Sequence, residues 1–175
     1  HLKRTSQLCG EFADDFGCKD AGTQLGSFHD LGKATPKFQE VLKHKNHESV
    51  NHCAAGALLI SNNKKTLLRT MLSDIIYAHH SELNFCSYKD FSKSLNEKYD
   101  NNNRRFSASG QTEYKDVAEF KKENAITTKK PEFPFDLNSL NEIEKMLLYR
   151  MLYSCLVDAD WSASAEHNNK NYLEE

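Results

Sequence analysis

Several things are missing from this sequence, and each absence narrows what it can be. It has no run of roughly eighteen apolar residues, so no membrane span is expected. No signal-peptide pattern opens it. The five cysteines (Cys9, Cys18, Cys53, Cys86 and Cys155) are scattered and odd in number, and none forms a Cys-x-x-Cys pair. That reads as thiols in a reducing cytoplasm rather than a disulfide framework or a zinc knuckle. There is no excess of basic charge either, since the formal net charge is −2. A domain that grips nucleic acid alone normally shows a basic footprint, whereas a nuclease handed its substrate by a partner need not. No glycine-rich loop of the Walker or dinucleotide type occurs, nor an internal repeat, nor convincing strand alternation. At 175 residues the chain suits one ordinary globular domain. It begins at His1 rather than Met, so it is expected to start inside a longer polypeptide or after trimming.

What is present is helical periodicity. Leu2, Leu8, Phe12 and Phe16 mark an amphipathic helix ending near Gly17. Ala21, Leu25 and Phe28 share a face of a second, from about Lys19 to Asp30. Thr35-Pro36 reads as an N-cap with proline at the first helical position, opening a short helix through Leu42. Lys43 to Ser49 reads as a polar loop. Val50 to Ile60 is small and apolar, built to pack closely through Ala54, Ala55, Gly56 and Ala57. Leu67, Leu68, Met71, Leu72, Ile75 and Ile76 predict a longer helix from Lys64 to His80. The stretch from about 84 to 134 is polar and reads as a mobile insertion of one or two surface helices joined by loops. Its basic residues (Arg104, Arg105, Lys121, Lys122, Lys129 and Lys130) suit a solvated face, with a DNA path as the alternative. Leu140 to about Ala165 predicts a strongly apolar, central helix.

The chemistry sits at the ends of these helices. Of eight histidines, His1, His29, His52, His79 and His80 lie on or beside apolar helices, where an unpaired polar ring is costly to bury. Asp30 follows His29 in FHDLGK. Asp158 and Asp160 fall inside the apolar segment SCLVDADW, where a buried carboxylate needs a partner and a cation serves well. Several imidazoles with one or two carboxylates suit Mn, Fe, Co, Ni or Zn better than an all-oxygen site would. With no cysteine at ligand spacing, a structural zinc site is not expected. An open His/Asp site fits hydrolytic metal catalysis. His44, His47 and His167 match no pattern and are left as surface residues.

The order His1, FHDLGK, NHCAAGALL, YAHHSEL, VDADW resembles the HD superfamily of metal-dependent phosphohydrolases. More narrowly it resembles the HD nuclease domain of the type I CRISPR-associated nuclease-helicase, from His1 to about Glu166. The resemblance implies an all-α HD-domain helical bundle with a metal centre between its central helices, the whole of residues 1–175 forming a single domain. It implies two divalent transition-metal ions: Mn, Fe, Co or Ni, with Mg a further candidate. His1, His29, Asp30 and one aspartate of VDAD would hold the first ion. Asp30 would bridge to a second, held by His52, His79 and His80. Residues two apart on a helix point about 200° apart, so only one of Asp158 and Asp160 can face the ions. Ala-Asp-Trp resembles the family's closing motif and favours Asp160. Ser81-Glu82 stands where the family usually has glycine after the double histidine.

The implied activity is two-metal hydrolysis of DNA, chiefly single-stranded, in CRISPR interference. Asp30 and Lys33 are the candidate catalytic residues, Lys33 for charge on the phosphate or else simply as a helix C-terminal cap. Ser164 is a weaker candidate for the pocket wall. The implied partners are single-stranded DNA, a helicase domain or subunit, and a Cascade-type effector complex. Two rivals stand beside this reading. One is an HD-type nucleotide phosphohydrolase or cyclic-nucleotide phosphodiesterase; the other is a metal-stabilised module without catalysis.

Overall fold

The structure is a computed structural model. It describes residues 1–44, 52–61, 66–81, 83, 89–109, 111–126 and 129–173, without the side chains of 44, 102–109, 111–116 and 168–173. Among the described residues there is no strand, and the fold is all-α. The elements are α1 (Leu2–Asp14), α2 (Lys19–Phe28), a 3-10 turn (Leu31–Ala34), α3 (Pro36–His44), α4 (Cys53–Ser61), α5 (Leu67–Ala78), α6 (Phe91–Ser109), α7 (Gln111–Glu123) and α8 (Glu142–Leu173). No described helix is long and apolar enough to cross a membrane.

The helix ends depart from the sequence pattern in informative ways. α1 stops at Asp14, short of Gly17, because the Cys18 N–H turns back to the Ala13 carbonyl at 2.8 Å. α2 stops at Phe28 rather than running to Asp30. Asp30 adopts φ −113° and ψ 16°, outside the helical well, and a 3-10 turn follows. Neighbours inside a helix diverge by about 100°, so leaving the helix is what lets His29 and Asp30 face the same space. Thr35 does cap α3, its Oγ1 accepting from the Phe38 N–H at 3.3 Å. Likewise Thr66 caps α5 through the Arg69 N–H at 3.4 Å. Val50, His47 and the 45–49 part of the expected polar loop lie outside the described residues.

The core is shared by all the longer helices. Leu25, Phe28, Ile75, Ile76, Leu152 and Leu156 are fully buried within it. α1 lies along α2 and α8, and α4 packs on α5. The segment from 84 to 134 differs from the surface helices expected of it. Phe91, Leu95 and Val117 are fully buried in the same cluster. The start of α6 is tied to the start of α8, where the Glu142 carboxylate accepts from Ser92 N at 2.6 Å and Ser92 Oγ at 2.9 Å.

Close backbone approach fixes α4 relative to the end of α2. A Cβ on Gly56 would fall 1.9 Å from the Phe28 carbonyl oxygen, and one on Gly32 would fall 2.2 Å from the His52 carbonyl oxygen. Both obstacles are backbone and cannot swing aside. Gly56→Ala is therefore expected to cost about 3 kcal/mol through forced separation of α4 from α2. Thermal unfolding followed by circular dichroism should show Tm lowered by about 6–12 °C. A variant as stable as the parent would refute this packing.

Candidate metal centre

Four chain segments converge on Asp30. His29 caps α2 and His79 caps α5, and each solves the same local problem. The last carbonyls of a helix lack intrahelical donors. His29 Nδ1 donates to the Gly26 carbonyl at 2.8 Å, and His79 Nδ1 donates to the Ile76 carbonyl at 2.6 Å. A carbonyl only accepts, so Nδ1 carries the proton and Nε2 is turned towards Asp30 as the potential ligand. His52 precedes α4, and His1 precedes α1.

The Asp30 carboxylate divides these rings into two groups. Its Oδ2 lies 3.3 Å from His29 Nε2 and 3.8 Å from His1 Nε2. Its Oδ1 lies 3.4 Å from His52 Nε2 and 3.7 Å from His79 Nε2. Asp160 Oδ1 completes the first group, 2.8 Å from His1 Nε2 and 3.3 Å from His29 Nε2. His80 joins the second, its ring centroid 5.1 Å from that of His52 and 4.0 Å from that of His79. Two sets of atoms are compact enough to hold an ion: His1, His29, Asp30 and Asp160, and His52, Cys53, His79 and His80. Cys53 belongs to no expectation drawn from the sequence. Its adjacency to His52 in NHCAAG is the one signal in the sequence, and the lack of a Cys-x-x-Cys pair obscures it.

The remaining candidates are placed as follows. Asp158 is exposed, while Asp160 is half-buried and turned to the histidines. Lys33 donates to Asp30 Oδ2 at 2.6 Å with its side chain 40% exposed. Ser164 and His167 are exposed on α8. The side chains of His44, Arg104 and Arg105 lie outside the described residues, as does His47 entirely. Lys121 is half-buried over the Phe28 ring, 5.7 Å from its centroid. Lys129 and Lys130 line a separate open cleft with Arg69, Phe133 and Phe135, which includes none of the candidate ligands. The cleft takes its α5 lining from Leu67, Leu68, Arg69 and Leu72, whereas His79 caps the far end of that helix.

Electrostatics give the centre a demand for cations. Asp30 is only 3% exposed. Burial opposes its charge, but His29, His79 and Lys33 hold its pKa far below the usual carboxylate range. Asp160 is lowered too, burial being outweighed chiefly by His29. Burial alone would discharge His29, yet Asp160 and Asp30 override it and push its pKa up to about 9. His80 moves the other way, lowered by burial and by its neighbours His79 and His52. The Cys53 thiol is pushed up to about 12, mainly by burial and by Asp30. Meanwhile His29 Nε2, Asp30 Oδ1 and His79 Nε2 are buried without a hydrogen bond. Buried polar atoms in that condition are costly, and divalent cations on the two sides of Asp30 would satisfy them. By this test the residues fit a metal.

A ligating imidazole must be neutral, whereas His29 in the metal-free chain keeps its proton up to about pH 9. Metal uptake should therefore expel protons, and apparent affinity should rise with pH until that value, by up to about tenfold per pH unit for each proton released. Calorimetric titrations of the chelator-stripped protein in two buffers of different ionisation enthalpy measure this. Equal heats in both buffers near pH 7.5 would count against ligation by His29.

Comparison with curated proteins finds no match, and comparison with solved structures finds none either. Residues 3–169 match the model of the family described as Cas3, HD domain, and the chain belongs to this family of metal-dependent hydrolases of CRISPR systems.

Proposed function

We propose that the chain is a nuclease domain that hydrolyses DNA phosphodiesters, chiefly in single strands, at a centre of two divalent ions during CRISPR interference. The observation that carries this reading is the division of one buried carboxylate between two histidine groups, Oδ2 towards His1 and His29 and Oδ1 towards His52 and His79. His1, His29, Asp30 and Asp160 would hold one ion. His52, His79 and His80 would hold the other, with Asp30 between them. Bound there, a pair of ions of the Mn, Fe, Co or Ni kind would lower the pKa of a water and clamp the attacking and leaving oxygens of an in-line displacement.

The chain supplies the rest. The Nδ1 bonds to Gly26 and Ile76 keep His29 and His79 in one tautomer and orientation. Lys33, bonded to Asp30 and partly exposed, would meet a phosphate oxygen. α8 presents Asp160, and its register is held by the paired bonds from Arg4 to Glu166, both 2.7 Å, and by Tyr153 Oη donating to the Ser81 carbonyl at 2.7 Å.

The modest charge favours delivery over capture. At net −2 the chain offers no broad basic footprint, which suits a cytoplasmic domain fed by a helicase domain or subunit and recruited to an effector complex. Residues 1–175 are read as one HD domain in which the segment from 84 to 134 is an insertion seated on the common core.

The test is a metal titration of the chelator-stripped protein on labelled single-stranded DNA, beside Asp30→Ala. Cleavage should return with Mn, Co or Ni and fall at least about 100-fold in the variant, which corresponds to about 2.7 kcal/mol of barrier. Intact long strands with turnover of a mononucleotide or cyclic nucleotide would transfer the function to a nucleotide phosphohydrolase. Stoichiometric metal uptake without any hydrolysis would leave a non-catalytic module.

A further inference from the structure

Cys53 Sγ lies with ring nitrogens of His52, His79 and His80 in a cluster whose atoms are all within 4.8 Å of one another. His79 gives an independent sign that this cluster faces a ligand. Its side chain is fully buried, its Nδ1 is committed to the Ile76 carbonyl, and its Nε2 has no hydrogen bond. Cys53 is itself only 8% exposed and opens α4, so the backbone that sets His52 also sets the thiol. The Gly32 contact with the His52 backbone holds that junction in place. Three imidazoles and a thiol in this compass make a donor set suited to zinc, cobalt or iron(II). Magnesium and manganese favour oxygen ligands and gain little from sulfur.

We propose that Cys53 is a ligand of the His52–His79–His80 site and that its thiolate biases this site towards zinc, cobalt or iron(II) over manganese and magnesium. The inference rests on the two-ion reading above. The exchange balances without redox change: the sulfur–metal bond forms, the S–H bond breaks, and its proton passes to solvent.

The experiment is a cobalt(II) titration of the whole chelator-stripped chain followed by absorbance, repeated on Cys53→Ser. Sulfur bonded to cobalt adds a near-ultraviolet charge-transfer band, while the weaker visible bands report bound cobalt whatever its ligands. The parent protein should show both. Cys53→Ser should keep the visible bands and lose the near-ultraviolet one. Competition titrations should show zinc affinity weakened about tenfold or more in the variant, and manganese affinity changed less than about twofold. Visible bands without the near-ultraviolet band in the parent would overturn the ligand role and leave the two-ion reading standing. Persistence of the near-ultraviolet band in Cys53→Ser would assign it to another thiol and overturn the proposal as well. No cobalt bound to the parent would defeat the metal centre itself. If Cys53→Ser does not fold, X-ray absorption of the zinc-loaded parent decides: a sulfur scatterer at about 2.3 Å supports the proposal, and a shell of nitrogen and oxygen alone refutes it.

Discussion

The carboxylate of Asp30, 3% exposed, is the point on which the arrangement turns. An ion taken out of water needs compensation from its surroundings, or burial costs several kcal/mol. In the metal-free chain that compensation is makeshift. Lys33 reaches in to Oδ2 at 2.6 Å, and a proton is retained on His29, whose pKa of about 9 reflects the two carboxylates beside it. Oδ1 has no hydrogen bond at all. Lysine, proton and unpaired oxygen all express the same excess of negative charge. A divalent ion on either side of Asp30 would replace them with something stronger, so the forces that make the apo centre awkward are those that would make it bind.

Placing five imidazoles around one carboxylate requires helices to end there, because a helix interior cannot turn adjacent side chains to one point. α2 and α5 both terminate at the centre, and α1 and α4 both begin beside it. The histidine that closes α2 and the one that closes α5 also satisfy a carbonyl three residues back, so the helix end and the orientation of the imidazole are a single feature. α8 runs past these ends as a long strut. Tyr149 and Lys98 meet the buried Asp74 of α5, the latter at 2.7 Å, which binds the histidine-bearing helix to α6 and α8 together.

The sequence was legible where chemistry and periodicity reinforced one another. His29, Asp30, His79 and His80 stand at the close of apolar runs, and the all-α architecture follows from helical spacing without strand alternation. Other features were hidden for physical reasons. The apolar pattern surrounds α8, so it could not choose between Asp158 and Asp160; only the helix's rotation in the fold turns Asp160 inward and leaves Asp158 exposed. The departure from helix at Asp30 is a backbone event with no side-chain signature. Phe91, Leu95 and Val117 were lost among asparagine, lysine and serine, because a sparse apolar stripe is enough to dock a helix when the acceptor surface is already formed. Cys53 was read by its spacing to other cysteines, whereas what matters is its proximity to histidines distant in sequence.

The charge around Asp30 also bears on how substrate and cation depend on each other. With Asp30 and Asp160 ionised, their two negative charges are balanced by the proton kept on His29 and by Lys33, which Asp30 already engages. A phosphate entering such a centre meets no net attraction. Divalent cations would make the centre positive and loosen the hold of Asp30 on Lys33. On the two-ion reading, the ions therefore govern phosphate binding as well as hydrolysis, and the weak overall charge of the chain becomes intelligible. On that reading, attraction for DNA would be concentrated at the site of cleavage and would depend on bound metal.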